Sequence, residues 1–250
     1  SKRKDVKLDI ENISTHLSYP WDWNAISQNK SFALTADFVM EHKDFSWEWS
    51  ALSSRNDCIF TAEFIKENKD KDWNWAILSK RKEIALNTDT LIALVTKEWD
   101  WNELIHRDDI KFTPELLRLV IDKDLNWKAI SQRDDFYPTM EVLNILKDKS
   151  LDWVKISHSE QLAANVIFVF KDKLDWMVLS HSSHINISDA KVLDRYKSYL
   201  DWNFVSNSPN LSLTEELLDK FKDYFNWDVI CRRTDFIITA EILEKFETKL

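Results

Sequence analysis

Glycine is absent from this chain of 250 residues, which also has only four prolines and two cysteines. Tight hairpins depend on glycine for positive backbone φ angles, so a chain without glycine is predicted to be almost entirely helical, with turns built from Asn, Asp, Ser and Lys. So few cysteines exclude a disulfide framework and fit a reducing compartment. Cys58 and Cys231 have apolar neighbours and are expected to be small core residues.

Long apolar runs and an excess of positive charge are also missing. No apolar stretch approaches 18 residues and no signal peptide opens the sequence, so we expect a cytoplasmic protein with no membrane contact. The net charge of −9 argues against general binding to nucleic acid or anionic lipid, although a local basic patch remains possible. The composition, 44% hydrophobic and 31% charged, is that of a globular protein.

Tryptophan, by contrast, is abundant, and its positions define a repeat. Nine of the 13 tryptophans follow one another in steps of 26 residues, with later steps of 23, 26 and 25. We number positions from this tryptophan, taken as position 0 of each repeat. The repeats are predicted to start near residues 22, 48, 74, 100, 126, 152, 175, 201 and 226.

The residues around each repeat tryptophan predict a short helix of about two turns. Position −1 is always Asp, Asn or Glu, which favours an N-cap. Position −2 is large and apolar and position +3 is aliphatic, the pattern of a hydrophobic staple. Position +4 is serine in seven of the nine repeats; Ile105 and Cys231 are the exceptions.

A second helix of about ten residues is predicted to begin twelve residues after the tryptophan. Capping residues stand there in eight repeats, and no such cap can be aligned in the short repeat between Trp153 and Trp176. The predicted caps are Thr35, Thr61, Asn87, Thr113, Thr139, Ser188, Thr214 and Thr239.

Helices this short cannot bury a core alone, so the repeats must stack on one another. We therefore predict an all-α fold, an α-solenoid of about nine helix-loop-helix repeats forming a single array over residues 1–250. The sequence begins inside a repeat and shows no polar capping repeat, so we expect it to be a segment of a longer protein.

The pattern Asp/Asn-Trp-x-x-Leu-Ser, followed by Thr-x-Glu, resembles short tryptophan-containing helical repeats of some giant-virus and bacterial proteins. Those repeats often read Leu-Ser-x-Asn-Pro-x-Ile-Thr, which the segment 206–214 approaches most closely. Most repeats here have Arg-x-Asp where the related repeats have Asn-Pro-x. The repeat pattern by itself implies no particular activity, and it is more loosely similar to other helical-repeat scaffolds, which hold partner proteins.

Arginine is concentrated at position +6, which makes this column the first candidate site. Six of the nine arginines stand in it: Arg55, Arg81, Arg107, Arg133 and Arg233, with Arg3 in register. One arginine per repeat could follow a phosphate backbone or an acidic peptide. However, an acid stands two residues after each of these arginines, and both are missing together in four repeats. This joint gain and loss favours an intramolecular ion pair over a ligand track.

Histidine at position +5 is the second candidate. His106, His158 and His181 stand there, and other repeats have unrelated residues, as expected of a variable, exposed position. Nothing in the spacing supplies a metal site, so no metal or other cofactor is predicted. The tryptophans could stack on bases, but their helix-start positions favour the core.

We expect a non-enzymatic scaffold that binds a protein or peptide partner or other domains of a longer chain. Arg81, Arg107, Arg133, His106, His158 and His181 are the candidate partner-binding residues. The alternative is a nucleic-acid-binding repeat region within a larger nuclease-like or helicase-like protein, using the arginine column.

Overall fold

The structure is a computed structural model and describes residues 9–249, so the predicted pairing of Arg3 with Asp5 lies outside the described residues. Over this range the chain forms helices joined by turns, without strands. Neighbouring helices pack on one another, which confirms the predicted all-α, solenoid-like repeat fold. No helix in the described range is both long and apolar enough to cross a bilayer.

Nine first helices begin at the repeat tryptophans. They are α2 (Trp23–Gln28), α4 (Trp49–Ser53), α6 (Trp75–Lys80), α8 (Trp101–Leu104), α10 (Trp127–Gln132), α12 (Trp153–Ser157), α14 (Trp176–Ser180), α16 (Trp202–Asn207) and α18 (Trp227–Ile230).

The second helices alternate with them, and α1 precedes the first tryptophan helix. They are α1 (Ile10–Thr15), α3 (Ala36–Glu41), α5 (Ala62–Glu67), α7 (Thr88–Ala93), α9 (Pro114–Leu119), α11 (Met140–Leu146), α13 (Ala164–Phe170), α15 (Ala190–Tyr196), α17 (Glu215–Lys220) and α19 (Ala240–Lys245).

Both kinds of helix are shorter than predicted. The first helices have four to six residues and the second helices six or seven, against the predicted two turns and about ten residues. The turn that follows each second helix explains why the second helices are short. At the end of α3, the carbonyl of His42 accepts from the Phe45 N–H at 3.0 Å and from the Trp47 indole at 2.9 Å. These bonds close the helix because they replace the bond that would continue it.

The predicted N-caps are largely confirmed. The side chains of Asp22, Asn74 and their counterparts accept the N–H three residues later, as do the threonine caps of the second helices. Glu48 is an exception, because its longer side chain bonds Ser50 and Asn24 instead. The predicted cap Ser188 is wrong: Asp189 caps α15, and the Ser188 hydroxyl bonds the Asn186 side chain.

The chain divides into two compact units, unit 1 (Ser1–Ile130) and unit 2 (Ser131–Leu250). In unit 1, first helices pack on first helices, as α4 does on α6, and second helices pack on second helices, as α5 does on α7 and α7 on α9. Unit 2 shows the same order in α12 with α14 and α16 with α18.

The tryptophans belong to the core, as predicted. Nine of the 13 are buried, and Trp21, Trp23, Trp153 and Trp202 are partly buried. Cys58 is buried as expected, but the prediction is wrong for Cys231, which is exposed.

Candidate functional site

The candidate arginines of unit 1 are interior residues. Arg55 is 1% exposed, Arg107 is 2% exposed and Arg81 is 6% exposed. Each guanidinium bonds the acid two residues later: Arg55 bonds Asp57 through Nε and Nη2, at 2.9 and 2.5 Å. The predicted pairing of arginine with this acid is therefore confirmed.

The same guanidinium groups also bond the backbone of the preceding repeat, which sequence reasoning did not predict. Arg107 Nη1 donates to the carbonyls of Ser79 and Arg81 at 3.4 and 2.7 Å, and Nη2 donates to that of Ile84 at 2.6 Å. These carbonyls belong to the residues 28, 26 and 23 positions earlier. We call this set of carbonyls the arginine slot.

The arginine slot recurs with the repeat. Arg55 bonds the carbonyls of Ser27, Asn29 and Phe32, and Arg81 bonds two of the corresponding three, those of Ser53 and Cys58. A planar guanidinium suits this task because its five N–H donors are arranged in a fixed fork. Each arginine thus ties one repeat to the next.

Unit 2 keeps the ion pair at its two ends. Arg133 bonds both oxygens of Asp135, at 2.8 and 3.0 Å, and its side chain is 11% exposed. Arg233 bonds Asp235 and the carbonyls of Ser206 and Leu211, 27 and 22 residues earlier. This shift of one position matches the 25-residue step at that repeat.

The ion pairs change the acidity of the acids in them. Burial alone would raise the pKa of Asp57, but hydrogen bonds from Arg55 and the Leu34 N–H, with the arginine charge, hold it below the usual value. The pKa of Glu83 is likewise lowered, against the effect of burial, by its hydrogen bond to Arg81. Both acids are therefore stabilised as carboxylates.

Where the arginine is missing, a small polar residue closes the turn instead. Asn29 and Ser208 each accept the N–H two residues later through the side-chain oxygen. Ser182 does the same for the N–H of His184, whose Nε2 lies 3.0 Å from the Ser159 carbonyl and donates to it. His184 thereby supplies one of the bonds that an arginine makes elsewhere.

The serine column at position +4 forms a second link between repeats. Ser53 Oγ donates to the Trp49 carbonyl at 2.8 Å and accepts from the N–H of Asn74, the N-cap of the following repeat, at 3.0 Å. Within residues 9–249, seven serines accept such an N–H: Ser27, Ser53, Ser79, Ser131, Ser157, Ser180 and Ser206.

The exception at Ile105 is compensated. The isoleucine side chain has no hydrogen-bond acceptor, and the N–H of Asn126 donates instead to the side-chain oxygen of Asn102 at 3.1 Å. The recurrence of serine at position +4 in seven of the nine repeats is the signal of this link in the sequence. Its partner is a backbone group, which leaves no signal in the residue types.

The candidate histidines lie at the surface and do not form a common site. His106 and His158 are exposed. His181 donates through Nδ1 to the Met177 carbonyl at 2.6 Å, and its ring packs on Phe204 at 4.0 Å between centroids. Within residues 9–249, no three His, Cys, Asp or Glu side chains are grouped so that they could hold a metal ion.

Cys58 is a structural residue. Its thiol donates to the Leu34 carbonyl, and burial together with the charge of Asp57 raises its pKa to about 12. The thiolate, which is the reactive form, is therefore disfavoured.

Comparison with known proteins adds no family: no family model matches the chain, and no curated protein or solved structure is significantly similar to it.

Proposed function

We propose that this chain is a non-enzymatic helical-repeat scaffold that mediates protein–protein or interdomain interaction in the cytoplasm. The observation that carries the proposal is the contrast between interior and surface columns of the repeat. Arginine, serine and tryptophan columns bond or pack one repeat against the next, whereas the exposed columns change from repeat to repeat.

The exposed position +1 shows this variation. In unit 1 it is polar or small, as in Asn24 and Ala76, whereas in unit 2 it includes Val154 and Met177, which are 52% and 62% exposed. These two residues lie on α12 and α14, which pack on each other. Exposed apolar side chains on neighbouring helices favour contact with a protein over contact with solvent.

Nucleic-acid binding along the arginine column is the less favoured alternative. A phosphate track needs guanidinium groups that face solvent, and those of Arg55, Arg81 and Arg107 are buried and bonded to carbonyls and carboxylates. The net charge of −9 would also repel a polyanion.

Two measurements test the proposal. The first is binding of labelled single- and double-stranded DNA and RNA at low salt, where we expect none. Binding that falls steeply between about 50 and 200 mM salt would contradict the scaffold proposal and favour the alternative.

The second measurement is cross-linked affinity capture with the variant Val154→Ser/Met177→Ser and the matched control Asn24→Ser/Ala76→Ser. We expect a partner that is captured by the wild type and the control and lost from the unit 2 variant. Equal capture by the wild type, the control and the unit 2 variant would show that the exposed residues of α12 and α14 do not bind the partner.

The relation to the tryptophan-containing repeats of giant-virus and bacterial proteins is also a proposal. It is supported by the recurrence of tryptophan about every 26 residues at the start of a helix.

A further inference from the structure

A cavity of about 170 Å³ in unit 2 lies at the place where a repeat arginine is missing. Its lining includes Ser131, Arg133, Asp134, Phe136, Lys155 and Ser159. Ser159 occupies position +6, where Arg55, Arg81 and Arg107 stand in unit 1. We call this cavity the open slot.

The repeat register identifies the wall of the open slot. The residues 28, 26 and 23 positions before Ser159 are Ser131, Arg133 and Phe136, and all three line the cavity. The residues at these spacings before Arg55 and Arg107 supply the three carbonyls of an occupied slot. The open slot therefore stands where a guanidinium would lie in unit 1.

No side chain of this repeat takes the place of the arginine. Ser159 is much shorter than arginine, and its hydroxyl accepts the N–H of Gln161 at 3.4 Å. Gln161 itself stands where the paired acid would be. Among residues 9–249, no backbone N–H bonds the Phe136 carbonyl. The adjacent repeat differs, because His184 bonds the Ser159 carbonyl there.

The charged side chains Arg133 and Lys155 beside the open slot are each paired with a carboxylate, and one of these carboxylates lies at the surface. Arg133 is bonded to both oxygens of Asp135. Lys155 Nζ lies 3.7 Å from Asp134 Oδ1, and the Asp134 side chain is fully exposed. A cation that entered the slot would meet an accessible carboxylate at the rim.

From this geometry we propose that the open slot binds a guanidinium group, presented by an arginine side chain of a polypeptide partner. The proposal deepens the scaffold function and rests on it for the source of the arginine. The chemistry is that of the occupied slots, a planar fork of donors directed at backbone carbonyls. Lys155 and His158 also line the cavity, and an anion bound to them is the competing outcome.

The test uses the whole 250-residue chain and backbone amide NMR shifts at residues 131–136 and 155–161. The probes are methylguanidinium, methylammonium, inorganic phosphate and a capped Ala-Arg-Ala peptide. We expect saturable shifts with methylguanidinium in the millimolar range usual for so small a ligand. Methylammonium, which lacks the planar fork, should bind at least about tenfold more weakly.

The control variant Ser159→Arg/Gln161→Asp fills the slot from within the chain. It should abolish the methylguanidinium shifts, while the comparison of the two cations in the wild type does not depend on this variant folding. Shifts with phosphate, equal shifts with both cations, or no saturable shift would overturn the proposal. If the peptide binds no more tightly than methylguanidinium, the proposal that the guanidinium group belongs to a polypeptide partner would be overturned.

These outcomes are separate from the scaffold test. Loss of guanidinium binding leaves the capture experiment on α12 and α14 unaffected, and failure of that capture experiment leaves the cavity measurement intact.

Discussion

Units 1 and 2 meet the same structural demands with different side chains. Unit 1 places a tryptophan at both positions −2 and 0 in its first four repeats, and the rings pair between helices: Trp49 with Trp73 at 4.8 Å, and Trp75 with Trp99 at 4.9 Å. Unit 2 has Leu or Phe at position −2, and its repeat tryptophans pack on Tyr or Phe, as Trp176 does on Tyr196 at 4.9 Å. An aromatic pair is retained although its residues differ.

The closure of the second helices shows the same exchange. In unit 1 the indole N–H at position −2 donates to the carbonyl five residues earlier, as Trp73 does to Asn68. In unit 2 the tryptophan at position 0 makes this bond at Trp176, Trp202 and Trp227. In these repeats an indole N–H therefore closes the helix from position 0 instead of position −2.

The arginine column marks the largest difference between the units. Removal of Arg107 should therefore have the largest effect, because it leaves several carbonyls and Asp109 without their charged donor. Breaking a buried ion pair costs about 3–5 kcal/mol. Since the side chain of Asp109 is 34% exposed, we expect Arg107→Ala to lower the free energy of unfolding by about 3 kcal/mol in urea titrations.

The adjacent exposed residue provides the control for Arg107. The variant His106→Ala should change stability by less than about 0.5 kcal/mol. Equal losses in the two variants would contradict an interior role for the arginine.

Conversion of a unit 1 aromatic pair to the leucine found in unit 2 should have the next largest effect. Trp99→Leu removes the ring contact with Trp75 and the bond to the Leu94 carbonyl, so we expect a loss of about 2 kcal/mol. Trp99→Phe keeps a ring and should lose about half as much. Equal thermal stability of Trp99→Leu and the wild type would show that the two units do not depend on their aromatic pairs in this way.

The serine link should have a smaller effect that is shared by both units. Ser53→Ala leaves the N–H of Asn74 without its acceptor, and we expect a loss of about 1–2 kcal/mol. At the exceptional repeat, Asn102→Ala should cost a similar amount alone and much less in combination with Ile105→Ser. If the free-energy changes of Asn102→Ala and Ile105→Ser were additive in a double-mutant cycle, Asn102 would not be acting in place of the serine.

The smallest expected effect is on the pH dependence of stability, and it comes from the acids that pair with the unit 1 arginines. The lowered pKa values of Asp57 and Glu83 mean that their contribution is present above the ordinary values of 3.8 and 4.5 and is lost as the pH falls further. Asp57→Asn/Glu83→Gln should therefore lose stability less steeply than the wild type below about pH 4.5. Parallel curves would mean that these pairs do not contribute.

Local rules predicted those parts of the fold that involve side chains close in sequence. The tryptophan period, most helix caps and the pairing of Arg55 with Asp57 were all visible in residue spacing. The bonds from arginine to backbone carbonyls were not visible, because every residue carries a carbonyl and none leaves a sequence signal. For the same reason, the sequence does not predict that Ser53 accepts the N–H of Asn74, or that Asn102 accepts the N–H of Asn126 in the repeat where Ile105 stands in place of serine.

The errors have equally local causes. The repeat register predicts a cap at Ser188, whereas the neighbouring Asp189 accepts the Lys191 N–H at 2.8 Å. Apolar sequence neighbours predict a core position for Cys231, but its side chain is exposed, because successive residues of a helix point in different directions. The open slot could be recognised only after the occupied slots had shown which carbonyls an arginine bonds.

The central claim is that position +6 is an interior slot in which arginine ties two repeats together. Thermal unfolding of Ser159→Arg/Gln161→Asp tests it most directly, because this variant places the unit 1 pair in the open slot of unit 2. The claim predicts a higher melting temperature than that of the wild type. An unchanged or lower melting temperature, with the new arginine exposed to solvent, would contradict it.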